Sequence, residues 1–167
     1  NVFLQRWCAE TDWRKHRAML FLDPSGMQVE WQTIEAVART KAIDMFILFP
    51  LGQAVNRLLT RNRMPNDAYS ATLTKLFGTE DWKTAFYVES KQMNLFESEP
   101  TMMKQANFDS IASFFVERLS MLFPGVAKHP KWLHNSRNNP LFLLCFVAAN
   151  PNGAPIAVRI AQHVLNM

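Results

Sequence analysis

The stretch AMLFLDPSGMQVEWQTIEAVARTKAIDMFILFPLG, residues 18–52, decides the fold. Its first five residues, Ala18 to Leu22, form an apolar run that is entered from the charged segment Trp13 to Arg17 and stops at Asp23-Pro24. A short run with no polar face reads as a strand covered on both sides, the habit of parallel sheets. Trp31, Ile34, Val37 and Ala38 then recur at helical spacing. Glu30 stands in the first turn and Arg39 and Lys41 at the end, a charge order that suits the helix dipole. Ile43 to Phe49 make a second apolar run, halted by Pro50 and Gly52. Strand, helix and strand in this order predict two parallel strands joined by a right-handed crossover.

Downstream, a helix is expected to begin near Gln53, to carry Val55, Leu58 and Leu59 inward and to end before the polar turn Arg61 to Asp67. Another runs to Phe77 with Gly78 as its C-cap. From Thr79 to Lys104 periodicity fades, although Trp82, Phe86, Tyr87, Met93, Phe96, Met102 and Met103 remain. That composition suits a partly helical insertion or lid, which sets a helical or irregular insertion over residues 60–105. Phe108, Ile111, Ala112, Phe115, Val116, Leu119 and Leu122 give an amphipathic stripe, with Asn107 as N-cap and Pro124-Gly125 as stop. A strand over Val126 to Leu133, the turn Asn135 to Asn139 and the apolar Leu141 to Ala149 read as a terminal hairpin. Asn150 to Gly153 break it, and Ile156, Ala157, Ile160, Ala161, Val164 and Leu165 form a last amphipathic helix.

Composition narrows the functional classes. A chain of 167 residues can bury one sizeable core, so one domain over 1–167 is the expectation. Apolar residues at 49% and charged ones at 19% exclude a disordered chain. No window reaches the roughly 18 apolar residues of a membrane span. Cys8 and Cys145 are too few for a disulfide framework or a zinc knuckle, and no secretory leader is visible, so a reducing cytoplasm is the expected setting. The net charge of +4 permits an anionic partner without demanding one.

Ligands of open α/β sheets bind beyond the carboxyl ends of the parallel strands, where Asp23-Pro24-Ser25-Gly26 and Phe49-Pro50-Leu51-Gly52 are expected to share a crevice. Asp23 could accept hydrogen bonds from an amino group, Pro24 would stiffen the turn and Gly26 would let a ligand approach the backbone. The same four residues also suit a plain turn. Asn56 and Arg57 could grip a phosphate or carboxylate from the next helix, or sit on a solvated face; Gln28 and Glu30 are weaker candidates. Trp31 fits the core better than a stacking platform. Lys128, His129, Lys131, Trp132, His134 and Arg137 make a basic, aromatic patch of the sort that contacts nucleic acid, or a solvated hairpin. His16, His129, His134 and His163 lack metal-ligand spacing, and no Ser-His-Asp or Cys-His order occurs, so no metal site is expected and a hydrolase or nuclease ranks last.

The block LFLDPSGMQVEWQTIEAVARTKAIDMFILFPLGQAVNRLLTR resembles the central part of the three-Cys-motif partner (TcmP) protein family. LFGTEDW (Leu76 to Trp82), Phe86-Tyr87 and NPNGAPIAVRIAQ (Asn150 to Gln162) resemble it too, in the same order. The resemblance implies a Rossmann-like α/β fold similar to class I S-adenosylmethionine-dependent methyltransferases, with parallel strands, a C-terminal antiparallel hairpin and helices on both faces. It sets Asp23-Pro24-Ser25-Gly26 in the place of the catalytic-loop motif, with Asp23, Pro24 and Ser25 at the reaction, Gly26 near the cofactor, and Gln28, Asn56 and Arg57 toward substrate. Amino-group methyltransferases of bases carry Asp-Pro-Pro-Tyr there; Ser25 and Gly26 replace the second proline and the aromatic, which removes the platform for a flipped base. The glycine-rich cofactor loop and the acidic ribose ligand are nowhere in these residues, so the chain, which opens at Asn1, is expected to be the C-terminal part of such a domain. The functions that follow are a methyltransferase-like enzyme with S-adenosylmethionine as cofactor and nucleic acid as one acceptor, or a non-catalytic module bound to a three-Cys-motif protein. Phe86 to Met103 could supply that contact surface or core packing.

Overall fold

A computed structural model describes residues 1–89 and 102–167. In chain order its elements are α1 (Val2–Glu10), β1 (Ala18–Leu22), α2 (Trp31–Arg39), β2 (Ile43–Phe49), a π-helical turn (Leu51–Val55), α3 (Asn56–Leu58), α4 (Asp67–Phe77), α5 (Trp82–Phe86), β3 (Tyr87–Glu89), β4 (Met102–Lys104), α6 (Phe108–Leu122), β5 (Gly125–Val126), β6 (Lys131–His134), β7 (Pro140–Ala148) and α7 (Ala154–Leu165). Met93 and Phe96, placed in the insertion by sequence, lie outside the described residues.

The architecture is mixed α/β. β1 and β2 run parallel in the register Ala18↔Ile43 to Leu22↔Ile47, as the strand-helix-strand reading requires. β7 lies antiparallel along the other edge of β2, from Met45↔Val147 to Phe49↔Leu143. β5 and β6 both pair antiparallel with the far edge of β7, which makes a five-stranded sheet. β3 and β4 form a separate ribbon. Pro140 opens β7, a strand position where the missing N–H costs least.

Alternation along the strands separates two cores. Ile43, Met45, Ile47 and Phe49 of β2, with Leu143, Cys145 and Val147 of β7, face the larger one. It is closed by Ile34 and Val37 of α2, Leu73 and Phe77 of α4, Trp82 and Phe86 of α5 and Ile111, Phe115 and Leu119 of α6. On the other face Phe146 and Ala148 meet Ala154, Ala161 and Leu165 of α7, with Phe46 and Leu144 half-buried beside them. Helices therefore cover both faces.

Coverage on the second face is partial, and this corrects the reading of β1 as a strand buried on both sides. Met19 and Phe21 remain 61% and 60% exposed. The cause is position: α7 spans β7 and part of β2, while β1 is the terminal strand of the sheet. The edge of β1 away from β2 pairs with no described strand.

Local chemistry explains the helix ends. Asn107 accepts from Ser110 N at 2.8 Å and Ser110 Oγ accepts from Asn107 N at 3.0 Å, a reciprocal cap that starts α6 where the sequence placed it. α4 is capped by Asn66 and ends on Gly78 at φ 68, with Gly78 N donating to Thr74 O. Two expectations need correction. The helix set near Gln53 begins earlier, as a π-helical turn in which Ala54 N and Val55 N both donate to Pro50 O. The strand set over Val126 to Leu133 divides into β5 and β6, because after Ala127 N donates to Phe146 O the residues Lys128 to Pro130 leave the ladder, and Pro130 has no N–H to give.

Two core substitutions test this packing. Phe115→Ala removes a ring stacked on Phe49 and edge-on to Trp31, and should cost about 3–5 kcal/mol in urea unfolding. Gly78→Ala places a Cβ against the Trp31 ring at a left-handed φ and should cost about 3 kcal/mol, strain and overlap together.

Candidate functional site

Because Leu22 pairs with Ile47 in parallel, Asp23 leaves the sheet beside Leu48 and Phe49. The two sequence-predicted loops thus stand at the same end of neighbouring strands, though they differ in character. Asp23, Ser25 and Gly26 are exposed and Pro24 is half-buried. Gly26 takes φ 68, and a Cβ built there would meet nothing within 4 Å. The turn therefore needs a residue tolerant of the left-handed region and presents an open outer side. Val29, buried, and Met27, packed against the core, anchor its return to α2.

The loop after β2 is closed instead. Phe49, Pro50 and Leu51 are buried, and a Cβ on Gly52 would strike the carbonyl oxygen of Pro140. Gly52 is thus required by the first residue of β7, and of the two loops only Asp23 to Gly26 is free to meet a ligand.

The remaining predicted residues are dispersed. Gln28 is exposed, and its main-chain oxygen accepts from Asn1 Nδ2 at 2.6 Å. The Asn56 side chain is held by the β3–β4 ribbon: its Oδ1 accepts from Lys104 Nζ at 2.6 Å. Arg57 is exposed on the next position of α3. Glu30 and Trp31 begin α2, with Trp31 only 2% exposed and the Arg118 guanidinium 4.9 Å from its ring centre, which makes it a core residue.

Lys104 is the polar residue that sequence reasoning missed. Burial holds its ammonium below the usual lysine range, and the Arg61 charge adds to the effect. Its backbone N–H donates to Arg61 O at 2.8 Å, and Tyr87 OH donates to Thr60 O at 2.9 Å, so the ribbon is tied to the chain after α3. Only the contact across 48 positions could have revealed it.

The basic hairpin is pinned to α7. Gln162 accepts from His129 N at 3.0 Å and donates to His129 O at 2.8 Å, while Trp132 and His134 stack at 6.4 Å. Neither cysteine is activated as a nucleophile: burial pushes both thiols up, Cys145 most. Among the described residues no cluster of three His, Cys, Asp or Glu could hold a metal ion.

Cofactor-binding capacity can be judged from the glycines. Gly52, Gly78 and Gly125 have side-chain space already filled by Pro140, Trp31 and Ala154. Gly153 stands alone before α7, and Gly26 alone on its turn. No run of glycines forms a cradle for a nucleotide-like cofactor, so these residues alone do not fit S-adenosylmethionine. What they can do is present an exposed carboxylate, Asp23, at a strand end as an acceptor for N–H groups. No protein-family model, curated protein or solved structure matches the chain.

Proposed function

We propose that this chain is the acceptor-side part of a Rossmann-like, S-adenosylmethionine-dependent methyltransferase-like enzyme with nucleic acid as its acceptor class. The observation that carries the reading is the exposed Asp23-Pro24-Ser25-Gly26 turn at the carboxyl end of a parallel strand, the position where open α/β sheets bind ligands. The resemblance to the three-Cys-motif partner family and the antiparallel strand order at the end of the sheet support it. In this reading Asp23 accepts a hydrogen bond from the amino group to be modified, Pro24 holds the turn and Ser25 offers a second polar contact. In this reading the cofactor cradle would be supplied by residues outside this chain, and further strands would join at the edge of β1, with which no described strand pairs.

Isothermal titration of the natural polypeptide that contains these residues should show S-adenosylmethionine binding, unchanged by Asp23→Ala. Methyl transfer to nucleic acid should fall at least a hundredfold in that variant. Absence of cofactor binding sinks the proposal.

A second reading, a non-catalytic module that binds a three-Cys-motif protein, is favoured by one specific feature. β1 is an unbulged edge strand with no charge between Ala18 and Leu22, and it exposes Met19 and Phe21. Such an edge is ordinarily paired or covered. If a partner strand covers it, Phe21→Lys should abolish co-purification of the three-Cys-motif protein while circular dichroism stays unchanged. Retained capture by that variant rules out this surface.

A further inference from the structure

A charged concavity lies remote from Asp23. A groove of about 900 Å3 runs between α1, α2 and the segment entering β1, and Asn150-Pro151 close its end. Arg17, Lys41 and Asn150 flank the amino ends of β1 and β2 and the carboxyl end of antiparallel β7, so the groove opens at the end of the sheet opposite the Asp23 turn.

Four cations line it, Arg14, Arg17, Arg39 and Lys41, against the single carboxylate of Glu35. Two are neutralised locally: Arg14 by Asp12 at 2.8 Å and Arg39 by Glu35 at 3.0 Å. The other two are drawn together by the backbone, since Arg17 Nη1 donates to the carbonyl oxygen of Lys41 at 2.8 Å. A carbonyl oxygen does not cancel a charge, so the Arg17 guanidinium is held at the Lys41 main chain with its charge available, and Lys41 lines the same groove with no ion pair among the described residues. Cys8, Ala9, Trp13 and Ala36 give the same groove apolar lining.

An independent observation concerns the backbone. Lys41 follows the last residues of α2 at φ 52, the left-handed region in which glycine is the ordinary occupant after a helix. A lysine there is strained, and strain kept at a charged concavity signals a use for the side chain.

We propose that this groove binds phosphate groups, with Arg17 and Lys41 as the pair that contacts them. A guanidinium offers a planar fork of donors and an ammonium a compact charge, the two standard partners of phosphate oxygens. An open groove with apolar lining suits an extended phosphodiester backbone, whose sugars and bases would lie along Trp13 and Ala36. A small phosphorylated molecule would meet the same pair. The site does not depend on the methyltransferase-like reading, because it involves neither Asp23 nor a cofactor.

The test is fluorescence anisotropy of labelled single-stranded oligonucleotides of increasing length on the intact protein, with inorganic pyrophosphate as competitor. Affinity should fall with salt, and Lys41→Gly should reduce the slope of log K against log salt by about one. Arg17→Glu should weaken binding more than tenfold. Lys41→Gly relieves the left-handed strain, so its melting temperature should rise even as binding drops; misfolding cannot mimic that combination. Affinity that grows with length identifies nucleic acid as the ligand, whereas length-independent binding displaced by pyrophosphate identifies a small phosphorylated molecule. Unchanged affinity in Lys41→Gly and Arg17→Glu, or loss of binding only when Lys128 and Lys131 of the hairpin are changed to glutamate, overturns the proposal.

Discussion

Phe49, the last residue of β2, is the contact on which the arrangement of the larger core depends. Its ring stacks on Phe115 of α6 at 4.0 Å and 15°, and lies 6.0 Å from Phe77 of α4. Phe115 meets Trp31 of α2, and Phe77 meets Phe86 of α5 and Phe114 of α6. Four helices are thus registered against one strand end through aromatic rings, each pair adding roughly 0.5–1.5 kcal/mol beyond its area burial. Geometry matters as much as energy here: flat rings at fixed offsets leave the helices little freedom to slide.

That aromatic cluster has a consequence for the site. The carboxyl end of β2 is the place where a second ligand loop would be expected to open, and it is filled by Phe49, Leu51 and the Pro140 carbonyl packed on Gly52. The end of β1, one strand over, has no such plug. The asymmetry follows from strand order, because β7 lies against β2 and brings its first residue onto the β2 loop, while no described strand lies on the outer edge of β1. Asp23 is therefore free for the reason that Gly52 is not.

Much of this was legible from contiguous residues. β1, α2 and β2 announce themselves by apolar runs, helical spacing and punctuation, and the Asn107 and Gly78 caps by residue types with local hydrogen-bonding reasons. What escaped reading rests on distant contacts. α1 carries its apolar residues without a clean face, exposing Val2 and Phe3. It is held by Asn1 Oδ1, which accepts from Glu30 N and from Thr33 Oγ1, and by Gln5 Nε2, which donates to that same hydroxyl. Asp44, a carboxylate inside an apolar strand, is explained only by the N–H of Ala149, 105 positions away, which donates to it at 3.0 Å. The insertion of β7 between β2 and the β5–β6 edge is of the same kind: the hairpin is local, while its docking is not. Asn56 read as a substrate contact or a solvated helix position from its place after β2, and nothing near it in sequence hints at its bond to Lys104.

The open edge of β1 and the stripe Ile156, Ile160 and Val164 on α7 are best understood together. The three α7 residues are 57%, 59% and 49% exposed and recur every fourth position, so they lie along one side of the helix. Gln162 holds another side of α7 to His129, next to the β5–β6 edge. At 100° per residue the stripe falls on a different flank of the helix from Gln162, and Met19, Phe21 and half-buried Phe46 are the further uncovered apolar residues, on the sheet. The half-covered second face and the edge that no described strand pairs with therefore meet at β1, and whatever satisfies that backbone edge is also placed beside Met19 and Phe21.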